Sequence, residues 1–177
     1  MKSAYQKSYG NAEVLVFDDV LPRPTLRQGD LLVKVHYASL NPIDFHMRAG
    51  YGRQIMERKR EAVWPLVLGR DGVGEVIERG TAAGVFKIGD RVAFALGPED
   101  QGSGAEYCRV PNTAAALVPA NVQARDAASL PYVALTTWRA LVDVAGMAPE
   151  QYSGKRILVH AGAGGVGSFA IQLLKYW

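Results

Sequence analysis

Six residues near the end of the chain, Gly162-Ala163-Gly164-Gly165-Val166-Gly167, carry the clearest chemistry in the sequence. Their glycines fall at 162, 164 and 167, the G-x-G-x-x-G spacing that holds the diphosphate of a dinucleotide. The first allows a tight turn. The second lets main chain approach the diphosphate, and the third lets the following helix pack closely on the preceding strand. A helix starting at Gly165 would offer free N–H groups and a partial positive charge to the anion.

Those glycines work only between a strand and a helix. Residues 156–159, Arg-Ile-Leu-Val, read as a short buried strand, and residues 165–176 read as a helix. In and just beyond that helix Val166, Phe169, Ala170, Leu173, Leu174 and Trp177 recur at i, i+3, i+4, i+7, i+8 and i+11, one face suited to lie on a sheet. The residue that reads the cofactor ribose is expected about 20 positions beyond the motif, and a parallel partner strand needs a further crossover. The chain is therefore expected to be the front part of a longer protein.

Upstream, residues 1–115 alternate like strands between frequent turns. Leu32 to Ala38 places Val33, Val35 and Tyr37 on one side and Lys34 and His36 on the other, the period of a half-buried strand. Val73–Ile77 and Arg91–Ala95 read as further strands, and Pro42 is placed to open a short helix reaching Met47. Many short strands with glycine turns imply a barrel or sandwich. Residues 124–131 and 133–146 read as helices, so the domain boundary is expected near 115–125: residues 1–120 form an all-β domain and 121–177 begin a nucleotide-binding domain.

Composition narrows the function classes. Half of the 177 residues are hydrophobic, enough for a packed core, and no apolar run approaches a membrane span. No apolar segment of a signal peptide follows Met1, so a cytoplasmic or matured organellar protein is expected. A net charge of +3 is too mild for nucleic-acid binding, and the one basic cluster, Arg58-Lys59-Arg60, is broken by Glu57 and Glu61 into a solvated face. The lone Cys108 forms no internal disulfide, and with no C-x-x-C there is no thiolate-rich zinc site. Cys108 itself reads as a small buried side chain on a strand.

The segments Asn41-Pro42-Ile43-Asp44, Leu68-Gly69-Arg70-Asp71-Gly72-Val73-Gly74-Glu75-Val76 and Gly89-Asp90-Arg91-Val92 stand in a telling order. Gly104-Ala105-Glu106-Tyr107, Ala128-Ser129-Leu130-Pro131-Tyr132-Val133-Ala134-Leu135-Thr136 and the 159–167 glycine segment complete it. Together they resemble the medium-chain dehydrogenase/reductase superfamily, in its quinone-oxidoreductase branch, and look closest to the reticulon-interacting mitochondrial oxidoreductase group. The resemblance implies a mainly β GroES-like barrel, acting as the substrate and catalytic domain, followed by helices and the first βα unit of an incomplete α/β Rossmann domain. It implies NADPH as cofactor, lying in a cleft between the two domains. In the full-length form it also implies a homodimer.

The zinc-dependent branch of the superfamily carries Cys where this chain has Asn41, and a His-Glu pair where it has Arg70-Asp71. Neither Asn41 nor Arg70 is a plausible zinc ligand, so no metal is expected. Without a Lewis acid the acceptor must already be electrophilic. A quinone or an α,β-unsaturated carbonyl qualifies, because the oxyanion formed by hydride attack is delocalised. The resemblance places Asn41 beside the nicotinamide, though Asn41 also suits the N-cap before Pro42. It places Thr136 on the nicotinamide carboxamide, with a buried helix hydroxyl as the alternative. Ala163, Gly164, Gly165 and Val166 would wrap the diphosphate, with Gly167 behind them.

His46 matches a position that carries Tyr in many quinone reductases, where a proton relay to the reduced substrate is conceivable; a partly exposed helix histidine is the alternative. Asp44 and Asp71 read as orienting carboxylates, and Arg70 as their partner or as a group facing substrate. His160 reads as structural and His36 as solvated. A zinc-free, NADPH-dependent oxidoreductase is the resulting expectation, with little turnover from these 177 residues alone. The alternative is a non-catalytic interaction module built on the same barrel.

Overall fold

The computed structural model describes residues 1–54 and 64–177. The basic cluster at Arg58–Arg60 lies outside the described residues. The chain divides into two compact units, Met1–Ser129 and Leu130–Trp177.

The first unit is built on two antiparallel sheets. Strands β1 (Ser3–Gln6), β2 (Leu15–Asp18) and β4 (Leu66–Val67) form one in the order β2-β1-β4. Strands β3 (Asp30–Ala38), β5 (Asp71–Arg79), β6 (Arg91–Ala95), β7 (Tyr107–Pro111) and β8 (Ala115–Leu117) form the other in the order β7-β3-β5-β6-β8. An isolated bridge, Ser3 to Ala105, ties a residue of β1 to the approach to β7. The core is Leu31 and Val33 from β3, Val76 from β5, Val92 and Phe94 from β6, and Cys108 and Val110 from β7. These are the inward residues of alternating strands, so the period of two fixes which side chains meet.

That period fails at one place the sequence could not show. Tyr37 was expected on the side of Val33 and Val35, yet it is 48% exposed. The pairing of β3 with β5 shifts register between Val35 and Tyr37, which re-aims the end of the strand. Gly72 and Gly74 of β5 lie opposite this stretch. A Cβ on Gly74 would collide with the Lys34 carbonyl, and one on Gly72 would lie 2.8 Å from the Tyr37 carbonyl.

Helix α1 (Pro42–Arg48) follows β3, and α2 (Ala124–Ala128) buries Ala127 and Ala128 against Val73. Residues 121–129 therefore pack with the sheets of the first unit.

The second unit contains α3 (Pro131–Trp138), a π-helical turn over Arg139–Val144, α4 (Pro149–Tyr152) and α5 (Gly165–Tyr176). The helix expected over 133–146 thus begins earlier, at Pro131, and passes into broader π-helical turns after Trp138. Helices α3 and α5 pack together, with Trp138 and Trp177 meeting edge to face at 6.2 Å between ring centroids.

The buried strand expected at 156–159 is not formed. The segment forms no regular element and pairs with no strand among the described residues, and Leu158 is 81% exposed. A strand of this kind takes its burial from neighbouring strands and covering helices, and residues 130–177 form no sheet around it. The same reason leaves the apolar face of α5 only partly covered: Ala170 is buried, while Val166 and Ile171 stay about two-fifths exposed.

Candidate functional site

The chemistry-bearing residues gather in two places, one in each unit. In the second unit, Gly164 is the N-cap of α5 in extended backbone, and no side chain caps the helix. The Gly164 N–H donates to the Ala161 carbonyl at 3.0 Å, and the Ser168 N–H donates to the Gly164 carbonyl at 2.8 Å. That second bond is the first rung of the helix. It leaves the N–H groups of Gly165, Val166 and Gly167 pointing out of the helix start, next to the positive end of its dipole. Ala163, Gly164 and Gly165 are exposed, so the approach to these donors is open.

What shapes the loop differs from the sequence expectation in one respect. The left-handed residue of the turn is Ala161, at φ 56°, and not Gly162. Gly162 lies close to α5 instead: a Cβ there would lie 2.8 Å from Ile171 Cδ1, the end of a side chain that is 44% exposed and can turn aside. Gly167 acts as its place in the motif demands: a Cβ on it would run into the Ala161 carbonyl. Gly164, by contrast, has room, since its nearest neighbour would be the Ala161 oxygen at 3.4 Å.

Thr136 lies on the exposed side of α3, and its hydroxyl donates to the Tyr132 carbonyl at 2.7 Å. The threonine that touches the glycine loop is its neighbour. Thr137 is 1% exposed, and its Oγ1 donates to the Val166 carbonyl at 3.3 Å. In the sequence, Thr137 recurs with Ala134, Trp138, Leu141, Val142 and Ala145 at helical spacing, which is the signal that sets it apart from Thr136.

In the first unit, Asn41 is the N-cap of α1 and is nearly buried. Its N–H donates to Asp44 Oδ2 at 2.7 Å, closing the first turn on the carboxylate. Its side-chain Nδ2 donates to Ser39 Oγ and to Asp71 Oδ1, each at 3.0 Å. Ser39 Oγ also donates to Asp71 Oδ1, at 2.7 Å. The Asn41 amide thus clasps the end of β3 to the start of β5 and serves the N-cap at once.

Asp44 is 5% exposed, and its Oδ1 is buried without a hydrogen-bond partner among the described residues. Burial pushes its carboxyl above the ordinary aspartate value. The Asn41 N–H and the Arg70 guanidinium pull it back, Asp71 raises it further, and the Gly69 N–H lowers it. Arg70, expected as a catalytic group, is 2% exposed and holds loop backbone. Its Nη1 donates to the Gly97 carbonyl at 2.7 Å and, with Nη2, to the Asp100 carbonyl at 3.2 Å.

His46 is exposed on α1, 4.4 Å from the Phe45 ring and 6.0 Å from the Tyr51 ring between centroids. His36 and His160 are exposed as well. Cys108 is 1% exposed, and desolvation pushes its thiol up to about 12, which keeps it protonated and inert at neutral pH. No helix of the described residues is long and apolar enough to cross a membrane.

Comparison with known proteins fits this layout. Residues 27–120 match the alcohol dehydrogenase GroES-like domain. The chain is 42% identical to the mitochondrial NAD(P)H oxidoreductase RTN4IP1 of Danio rerio and of Homo sapiens, over 96% of this chain and 46% and 45% of those proteins. Among solved structures, the quinone oxidoreductase of Coxiella burnetii superposes with a TM-score of 0.84 at 38% identity, covering 99% of this chain and 53% of that one. Mycobacterial Rv1454c complexed with NADPH superposes with a TM-score of 0.81 at 31% identity, covering 99% and 50%. The chain spans about half the length of the curated relatives it matches. With the five-stranded antiparallel sheet inside the matched residues, this chain belongs to the alcohol dehydrogenase GroES-like domain family.

Proposed function

We propose that this chain carries the substrate domain and the diphosphate loop of a zinc-free, NADPH-dependent oxidoreductase that reduces a quinone or an α,β-unsaturated carbonyl. The observation that carries the reading is the start of α5, which no side chain caps and beside which Ala163, Gly164 and Gly165 are exposed. A diphosphate fits the N–H donors of such a helix start. The NADPH complex of mycobacterial Rv1454c supports NADPH over NADH, and the mitochondrial names of the relatives support a mitochondrial location.

The zinc-free part rests on the donor set. Asn41 turns its NH2 toward Asp71 and Ser39 and so offers no lone pair there, and Arg70 sets a fixed cation in the same corner. Zinc wants three N, S or O ligands, and a neighbouring guanidinium repels it. Residues 1–120, with 121–129 packed on them, would be the GroES-like substrate and catalytic domain, and the residues that follow would begin the NADPH-binding domain. When bound, NADPH supplies a hydride to an electrophilic carbon of the substrate. Gly165, Val166 and Gly167 hold the diphosphate through their N–H groups, with Ala163 and Gly164 forming the rim. A ring nitrogen of His46, flanked by Phe45 and Tyr51, delivers the proton that neutralises the reduced oxygen.

The test uses NADPH fluorescence and absorbance on the protein that carries this chain, beside its Gly164→Asp variant. The expected result is NADPH binding and quinone-dependent oxidation in the parent, with binding weakened by about tenfold or more in the variant and oxidation reduced with it. Equal binding by parent and variant overturns the loop assignment. Binding without oxidation across a panel of quinones and enones overturns the enzymatic reading in favour of a non-catalytic module.

A further inference from the structure

Two neighbouring threonines of α3 use their hydroxyls in opposite ways. Thr136 donates back to the Tyr132 carbonyl of its own helix at 2.7 Å, the local bond that helical threonines commonly make. Thr137 is 1% exposed and donates across to α5 instead, to the Val166 carbonyl at 3.3 Å. That carbonyl lies in the first turn of a 12-residue helix, where it accepts the N–H four residues on, so the threonine is not needed to satisfy it.

What the second bond adds is orientation. The Val166 carbonyl and the Gly167 N–H are the two ends of one planar peptide group. The Gly167 N–H is among the donors that the helix leaves unpaired at its start. Holding one end of the group fixes the direction of the other, and a bond to the carbonyl polarises the peptide and strengthens its N–H as a donor. One turn earlier on the same face of α3, Val133 bears on the same turn of α5: a Cβ on Gly165 would lie 3.0 Å from Val133 Cγ1. The start of α5 is thus seated on α3 at two points, one apolar and one polar.

We propose that Thr137 is a positioning residue of the glycine loop, aiming and strengthening the Gly167 N–H through the peptide that Gly167 shares with Val166, a role that rests on the reading of the loop as a diphosphate site. The hydroxyl is buried and acts from behind the donors. Its bond is directional where the Val133 contact is not. Removing the hydroxyl at constant volume therefore leaves α5 seated and frees only the tilt of the 166–167 peptide.

The test follows the backbone amides of the isotope-labelled protein that carries this chain by NMR, first without ligand and then with NADPH. Thr137→Val keeps the shape of the side chain and loses the donor. It is expected to move the Gly167 amide resonance further than those of Gly162 and Gly164, and to leave the protection of the Ala170 and Leu173 amides unchanged. NADPH binding should weaken by about threefold or more, the share of one modest hydrogen bond. Thr137→Ser, which keeps the donor, is expected to return both the resonance and the affinity to the parent's values.

An unmoved Gly167 resonance in Thr137→Val, or no recovery in Thr137→Ser, overturns the proposal. Lost protection along α5 overturns it too, because the hydroxyl would then serve packing alone, and so does an unchanged affinity for NADPH. Should Thr137→Val fail to fold, Thr137→Ala, with its stronger helix preference, is read by the same marks. A parent protein that binds no NADPH overturns the diphosphate reading, and the ligand-free resonances then decide by themselves whether Thr137 holds the Gly167 N–H.

Discussion

The Asn41 corner and the glycine loop are built on opposite rules. At Asn41 the polar groups are turned inward: the amide NH2 serves Ser39 and Asp71, the N–H serves Asp44, and the neighbouring Arg70 serves loop carbonyls. At the start of α5 three main-chain donors are turned outward, with no side chain to receive them. The first arrangement holds parts of a fold in register. The second leaves hydrogen-bonding capacity for something that is not yet there. Residue type alone does not separate the two, since an asparagine looks more like chemistry than a glycine does.

The comparison is broken most severely by filling space that backbone already occupies. Gly167→Ala puts a methyl into the Ala161 carbonyl, a contact that no side-chain rotation relieves. The expected loss is roughly 3 kcal/mol, at the upper end of overpacking effects. It should show as lost amide protection across α5. Retained protection in that variant would mean the loop adjusts freely, and the third glycine would no longer be evidence of close packing.

Gly164→Asp sharpens the contrast from the other side. The position has extended backbone and a nearest contact of 3.4 Å for a new Cβ, so the fold should survive. The added carboxylate faces the same donors a diphosphate would use. Binding of NADPH is expected to weaken by about tenfold or more, an energy of about 1.4 kcal/mol, with α5 protection unchanged. Loss of α5 protection in that variant would show that steric disruption, and not charge, accounts for any loss of binding.

Much of this was legible beforehand, and the limits have physical causes. Alternation located β3, β5 and β6, and helical spacing with the glycine motif set α5 at 165–176 as observed. The strand at 156–159 was misjudged because its four apolar-rich residues state only that burial is wanted, while burial itself is supplied by neighbours distant in sequence. For Arg70 the sequence shows a charge beside Asp71 and so a partner for a carboxylate or a group facing substrate; the carbonyls of Gly97 and Asp100 that its guanidinium holds lie about 30 residues away and leave no sign in the local pattern. Tyr37 was lost to a register shift, which leaves no mark on the pattern of side chains.

Asn41→Ala comes next in size and tests the inward arrangement. It removes two donated hydrogen bonds and leaves Asp71 Oδ1 with Ser39 as its remaining partner of the pair. The Asn41 N–H still serves Asp44, so α1 keeps part of its cap. A loss of about 1–2 kcal/mol is expected from a thermal or denaturant melt of the first unit. A change of only a few tenths would show that the clasp between β3 and β5 is redundant, and would return Asn41 to the pool of side chains free to meet a ligand.

The smallest effect has the opposite sign. Ala161 is left-handed at φ 56°, a conformation that costs an ordinary residue about 1–2 kcal/mol. Replacing it with glycine removes that penalty but gives the unfolded chain more freedom to lose, which offsets about 0.5–1 kcal/mol. Ala161 is exposed, so its methyl contributes little packing. The balance is a stabilisation of about 0.5 kcal/mol by Ala161→Gly, visible as slower exchange at the Ser168 amide that opens the α5 ladder. Its main-chain carbonyl, the group that receives the Gly164 N–H and meets Gly167, is unchanged by the substitution. Affinity for a diphosphate should therefore stay the same while stability rises. If instead both fall together, the methyl itself shapes the outward-facing donors, and the loop owes its open arrangement to a side chain as well as to its glycines.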